Sequence, residues 1–192
     1  MRGNHPIEMP VDLSKFDNSW YRPGRSILVQ AAWYFIGLPL LRSSLIPSSA
    51  FRVNLLRAFG ATIGFGAIIK PGVRVKYPWL LGIGNQSWLG EDCWIDNLAP
   101  VRIGNNVCLS QGAYLCTGNH DWSDPAFGLI VKPITLRDGS WVGAKATICP
   151  GVELEENAIA AAGSVVHRTI PAGEIHGGNP AQFVRQRVTR SE

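Results

Sequence analysis

The chain is 192 residues long, 46% hydrophobic and 17% charged, with a formal net charge of +4 at pH 7. That length favours one domain, and that balance supports a sizeable core and excludes a disordered chain. The modest positive charge suits phosphate-bearing ligands or a membrane surface; with no recognition motif and no basic cluster interleaved with aromatics, no nucleic acid is expected as partner.

The amino terminus, MRGNHPIEMP, reads as a tail containing His5, not as a cleavable signal peptide, because the first apolar run starts only near residue 27. That run, ILVQAAWYFIGLPLL at 27–41, lies between Arg25 and Arg42 and contains Gln30 and Pro39. It is too short to cross a bilayer as a helix. In the next segment Pro47 and Ser48 offer a helix start, Phe51, Leu55, Leu56 and Phe59 share a face, and Gly60 ends it. Both segments are expected to be helices that cap the following domain, with peripheral membrane contact as the sharper alternative.

From residue 63 an aliphatic residue returns every sixth position: Ile63, Ile69, Val75 and Leu81, then Ile83, Leu89, Ile95 and Val101, then Ile103, Leu109 and Leu115. Two-residue insertions at 81–82 and 101–102 reset the count. A second block runs Leu136, Val142, Ile148, Leu154, Ala160, Val166 and Ala172. Four residues after most of these stands a small residue, as at Ala67, Ser87, Cys93, Ala113, Ser140, Ala146, Ala158 and Ser164. Glycine often follows the aliphatic residue, as at Gly64, Gly84, Gly90, Gly104 and Gly143, which suits a corner whose backbone conformation resists side chains.

A period of six fits neither a helix nor a lone alternating strand, but it fits a short strand plus a tight turn. Three such sides close a triangular turn, so the expectation is an all-β solenoid of about five coils. The expected division is 1–60 as amino-terminal tail and helical cap, 61–181 as solenoid, and 182–192 as carboxyl-terminal tail. Cys93, Cys108, Cys116 and Cys149 show no paired or metal-ligand spacing and read as reduced residues of a cytoplasmic protein, working at the inner face of the membrane if the cap touches lipid.

The rhythm fails over LCTGNHDWSDPAFGLIVKP, residues 115–133. A uniform wall needs something that projects from it to do chemistry, and His120 stands at the root of this excursion, 119–133. Histidine is the side chain suited to taking a proton from a hydroxyl near neutral pH. Of the others, His176 lies near the carboxyl end and His167 beside Arg168 in the last hexads.

The hexads, the excursion after TGNH and the closing GSWVGAKATICPGVELEENAIAAAGSVVHRTIPAG with GGNPA resemble the hexapeptide-repeat acetyltransferases over residues 61 to about 187. The phrases SWYRPGRS and WIDNLAPVRIGNNVCLSQGAYLCTGNHDW are similar to the branch tied to colanic acid, a bacterial exopolysaccharide. The resemblance implies a left-handed parallel β-helix, acetyl-CoA as co-substrate with no metal required, and a sugar or lipid-linked oligosaccharide as acceptor. It implies His120 as general base, Ala144 and Ala162 against the pantetheine arm, and His167, Arg168 and Arg185 near the nucleotide phosphates. Gln182 stands where the galactoside enzyme has an arginine, and Gly90 and Leu98 stand at its acceptor-binding positions. Asp96 and Asn97 are the replacements expected here, with Asp121 and Trp122 of the excursion beside the acceptor.

The resemblance further implies a homotrimer with three sites between subunits, the excursion reaching to the neighbour with Trp122 and Phe127 as anchors. Two other classes compete with this reading: a zinc carbonic anhydrase of this fold, which needs three converging histidines, and a non-catalytic scaffold, which needs neither His120 nor Arg168.

Overall fold

The structure, a computed structural model, describes residues 10–188. His5 and the end of the expected carboxyl-terminal tail lie outside the described residues. Each hexad is a strand of two or three residues closed by a tight turn, and three strands make one turn of a left-handed parallel β-helix. The first face stacks Thr62–Ile63, Leu81–Ile83, Val101–Ile103, Ile134–Leu136 and Glu153–Leu154. The second stacks Ile68–Ile69, Trp88–Leu89, Cys108–Leu109, Trp141–Val142, Ile159–Ala160 and Glu174–Gly177, and the third Arg74–Val75, Trp94–Asp96, Tyr114–Cys116, Thr147–Ile148 and Val165–Val166.

The register explains the period. Ile63 pairs with Ile83, Ile83 with Ile103, Ile103 with Leu136 and Leu136 with Leu154, so successive sixth residues point inward from the three faces in turn and each face stacks its own column inside the prism. Each of these is at most 7% exposed. Burial of one such side chain contributes roughly 1.5–3 kcal/mol, and the column repeats it at every level. The small residues four positions on are buried too, from Ser87 and Cys93 to Ala158 and Ser164, with Ala67 half-buried.

The glycines after the aliphatic residues serve a different purpose from the one expected. A Cβ at Gly84 would lie 2.5 Å from the Gly104 carbonyl carbon, and one at Gly143 would lie 2.5 Å from the Ala162 nitrogen, so the coils stack too closely for a side chain. The left-handed conformation falls two residues later, at Asn106 (φ 54°) and Lys145 (φ 57°) among others.

The ends also depart from the hexad count. The solenoid has about six turns, not five, because Ile170 bridges to Leu154 and Glu174–Gly177 adds a sixth level to the second face. Ile170 is fully buried and Ala172 exposed, so the inward column ends two residues earlier than the count placed it. Residues 182–186 are no tail: Gln182–Gln186 folds back antiparallel on Glu174–Gly177 and pairs its backbone there.

At the first coil, helix α1 (Ile27–Ala32), a π turn (Trp33–Gly37) and helix α2 (Leu38–Arg42) form one continuous segment, and helix α3 (Ser49–Ala58) follows. Gly37 leaves room for the Trp33 ring, which is buried and donates its Nε1–H to the Val75 carbonyl at 3.0 Å. Ser48 caps α3 by accepting from Phe51 N. The face α3 buries carries Arg52, Val53 and Leu56, and Phe51 is 37% exposed, contrary to the expected stripe. Arg52 turns inward because its guanidinium donates to the carbonyls of Leu41 at 3.1 Å, Ser48 at 3.1 Å, Ser43 at 2.8 Å and Ile46. Four carbonyls in place of a carboxylate tie the connection between α2 and α3 to the cap. All four cysteines are free thiols, and burial pushes the Cys93 thiol up to about 12, which makes it an inert core residue.

Candidate active site

The rhythm stops at Thr117 for a structural reason. Its hydroxyl is fully buried, accepting from Ala99 N and donating to the Asp96 carbonyl, both at 3.0 Å, while its own carbonyl accepts from Lys132 N at 2.9 Å. Exit and re-entry of the excursion are thus pinned at one point. Between them Gly118–His120 pairs antiparallel with Leu129–Val131, with His120 opposite Leu129, so the irregular segment is a β-hairpin.

The tip is built by carboxylates. Asp124 accepts from Ala126 N at 2.9 Å and Gly128 N at 3.1 Å, and Asp121 N donates to the Gly128 carbonyl at 2.8 Å. These bonds hold Phe127 at a φ of 54°, an unfavourable region for an aromatic residue, and that turn brings its carbonyl 2.8 Å from His120 Nδ1. The Phe127 ring lies nearly parallel to the imidazole at 4.4 Å, and Phe16 approaches it at 5.4 Å. Residues 10–25 are therefore not a free tail: Asp12 N donates to the Pro125 carbonyl at 2.9 Å, and the Tyr21 hydroxyl donates to the Leu98 carbonyl at 2.7 Å.

A carbonyl only accepts, so His120 Nδ1 carries the proton, and in the neutral ring Nε2 keeps its lone pair. The imidazole is held in one tautomer and one plane, as a general base requires. Phe127, Asp124 and Phe16 are functional neighbours that the sequence reading did not assign around His120. The signal for Asp124 was the run DPAFG, since a carboxylate before proline and glycine caps a turn; Phe16 carried no local signal.

The other expected residues are spread along the prism. Asp96 pairs with Lys76 at 3.0 Å and lies 3.4 Å from the Tyr114 hydroxyl. Asn97 is fully buried and spends its carboxamide on the Tyr77 backbone, accepting at 2.9 Å and donating at 2.8 Å, so it faces no acceptor. Asp121 caps the tip through Ser123 N at 2.9 Å and Ser123 Oγ at 2.5 Å, bonds that hold its carboxyl below the usual range, and Trp122 is 84% exposed.

Ala144 and Ala162 occupy the same corner one coil apart, where Gly163 N donates to the Ala144 carbonyl at 2.8 Å. His167 and Arg168 are exposed at the far end of the third face and line a cleft of about 250 Å³ with His176 and Gln182. They leave the prism at the corner where the His120 hairpin leaves it, two levels away, about 10 Å at ordinary strand spacing. Arg185 is exposed on the added strand of the second face, opposite Ile175. Among the described residues no three histidine, cysteine or acidic side chains converge to hold a metal.

Residues 131–168 match the family model described as the hexapeptide repeat of succinyl-transferase. Over 178 residues the chain is 35% identical to WcaF of Escherichia coli K12, a protein named for acetyl transfer in colanic acid biosynthesis, covering 92% of this chain and 97% of that one. This chain belongs to the hexapeptide-repeat acetyltransferases. The crystal structure of such an acetyltransferase from Vibrio cholerae superposes with a TM-score of 0.75 at 26% identity, over 85% of this chain and 95% of that one. Galactoside acetyltransferase in complex with coenzyme A gives 0.69 at 25% identity, over 83% and 77%. As a hexapeptide-repeat acetyltransferase the chain is an acyltransferase, and His120, held by the Phe127 carbonyl and ring at the base of the hairpin, is its candidate centre.

Proposed function

We propose that this acetyltransferase carries the acetyl group of acetyl-CoA to a hydroxyl of a sugar, as a step in building a bacterial exopolysaccharide. The observation that carries the reading is His120, with Nδ1–H bound to the Phe127 carbonyl and Nε2 free. Nε2 takes the proton of the acceptor hydroxyl as its oxygen bonds to the thioester carbonyl carbon. The tetrahedral intermediate collapses with cleavage of the carbon–sulfur bond, and the imidazolium returns the proton to the departing thiolate. No acyl-enzyme forms.

On this reading the solenoid from residue 61 on, with Gln182–Gln186 as its last strand, is the catalytic unit, and the helices between Ile27 and Ala58 are its cap. The small corner at Ala144 and Ala162 accepts the pantetheine arm, and His167, Arg168 and Arg185 meet the nucleotide phosphates, where a guanidinium matches phosphate oxygens. Asp96, Asp121 and Trp122 remain the candidates for the acceptor side.

The active unit is a homotrimer. The outward column of the first face, Thr62, Gly82, Arg102, Thr135 and Glu153, is fit for water. The second face turns Ile68, Trp88, Cys108 and Trp141 outward, and the third turns out Trp94 stacked on Tyr114 at 4.6 Å. Two different apolar faces on a triangular prism suit a head-to-tail contact that closes at three copies, and they supply the second wall that a flat-sided monomer lacks.

The test is incubation with acetyl-CoA against free sugars, nucleotide sugars and undecaprenyl-linked oligosaccharides, with mass detection of one added acetyl group and sedimentation of the active species. Transfer to a sugar hydroxyl by a trimer is expected. Binding of acetyl-CoA without turnover on every acceptor supports the scaffold reading instead, and a fully active monomer removes the shared site.

A further inference from the structure

The helical cap presents an apolar face that nothing in the chain covers. Ile27, Leu28, Tyr34, Phe35, Ile36 and Leu45 are 59% to 92% exposed, although the opposite side of the same segment buries Trp33 and Leu41 completely or nearly so. This face is not a loose end. The Trp33 bond to Val75 and the four carbonyls on Arg52 hold it in place on the first coil.

The stretch of chain that carries it is one-sided in charge. Residues 18–90 contain eight arginines and lysines and no aspartate or glutamate, although the whole chain has 14 acidic residues. Of those eight cations Arg52 is buried on backbone carbonyls and offers the surface no charge, and among the described residues only Lys76 has a carboxylate partner, Asp96. Arg25 and Arg42 flank the apolar segment. Arg74 lies 5.6 Å over the Trp94 ring with its buried Nε unpartnered, in a cleft of about 490 Å³ beneath Tyr34 and Phe35. Glu91 and Asp92 line a second cleft together with Tyr34, Phe35, Arg42 and Leu45, so two carboxylates meet the patch on its Arg42 side.

We infer that this face docks on an anionic lipid bilayer, with α1, the π turn and α2 lying in the plane of the headgroups. Aromatic and aliphatic side chains backed by unpaired cations form the pattern of an interfacial segment, and among the described residues no helix is long and apolar enough to cross a membrane. A second copy of the chain fits less well, because it would bring an equally positive surface against this one. The inference does not depend on which acceptor the enzyme uses.

Flotation of the full chain with phosphatidylcholine vesicles, with and without phosphatidylglycerol, tests it. The protein is expected to float with the anionic vesicles and to be released by salt. Arg25→Glu with Arg42→Glu is expected to weaken partition by about tenfold or more, since each basic residue near such a surface contributes on the order of 1 kcal/mol. Leu28→Glu with Phe35→Glu is expected to do the same while leaving the melting temperature, the sedimenting species and transfer to a soluble acceptor unchanged. Failure to float with anionic vesicles overturns the inference, as does equal flotation of both variants. A smaller assembly for the Leu28→Glu, Phe35→Glu pair also overturns it, by making the face a contact between copies.

Discussion

The walls of the prism and the hairpin that leaves them hold side chains by opposite means. On the wall a residue is placed by repetition: Leu109 sits where Leu89 sits one coil before and Val142 one coil after, and the three share one register. In the hairpin nothing repeats. His120 is placed by a buried threonine at the exit, two aspartate-capped turns and one aromatic residue in the left-handed region. Labour is divided accordingly: the wall supplies shape, and with it the faces proposed to meet other copies and a long co-substrate, while the hairpin supplies one group with a fixed proton.

The largest effect should come from breaking the wall. Leu109→Ala removes a fully buried side chain from the middle of a column that can relax little, and should cost about 2–5 kcal/mol in unfolding free energy. Denaturant melts check this, and turnover per folded molecule should change far less than stability. The hairpin should respond the other way. His120→Ala should lower turnover by about 100-fold or more, the scale of a lost general base, with the melting midpoint and acetyl-CoA affinity nearly unchanged. Near-full activity in that variant would falsify the mechanism.

The same contrast decides what was legible in the sequence. Periodicity exposed nearly every inward residue from Ile63 to Val166, because on a solenoid wall local sequence is a direct image of the interior. It failed where the repeat ended: Ile170 took the inward place assigned to Ala172, and Gln182–Gln186 formed a strand, since edge pairing depends on neighbours no hexad count sees. His120 draws notice in the sequence because it stands where the pattern breaks. Its orienting partner does not, because a backbone carbonyl has no letter of its own and Phe127 reads as an apolar anchor. Asn97 misled for a related reason: its amide satisfies the Tyr77 backbone 20 residues earlier, one coil away. Burial of Arg52 was likewise hidden, because its partners are four carbonyls and not an acid.

The smallest expected effect sharpens the comparison most, because it removes no reacting group. Asp124 touches no part of the imidazole; its carboxylate accepts from Ala126 N and Gly128 N, the residues on either side of Phe127. Losing those bonds lets Phe127 relax toward an ordinary φ, and its carbonyl then leaves His120 Nδ1. The imidazole can rotate or take the other tautomer, so a smaller fraction of molecules presents a free Nε2 at the right place. Asp124→Ala should therefore lower kcat by about tenfold with little change in acetyl-CoA KM, less than the loss of the base itself. A general weakening of the hairpin could imitate this, so the decisive measurement is a double-mutant cycle. If Asp124 acts only through His120, adding Asp124→Ala to His120→Ala should cost almost nothing further. An equal tenfold loss in both backgrounds would mean that the aspartate serves the acceptor directly, and that the hairpin does more than hold one histidine.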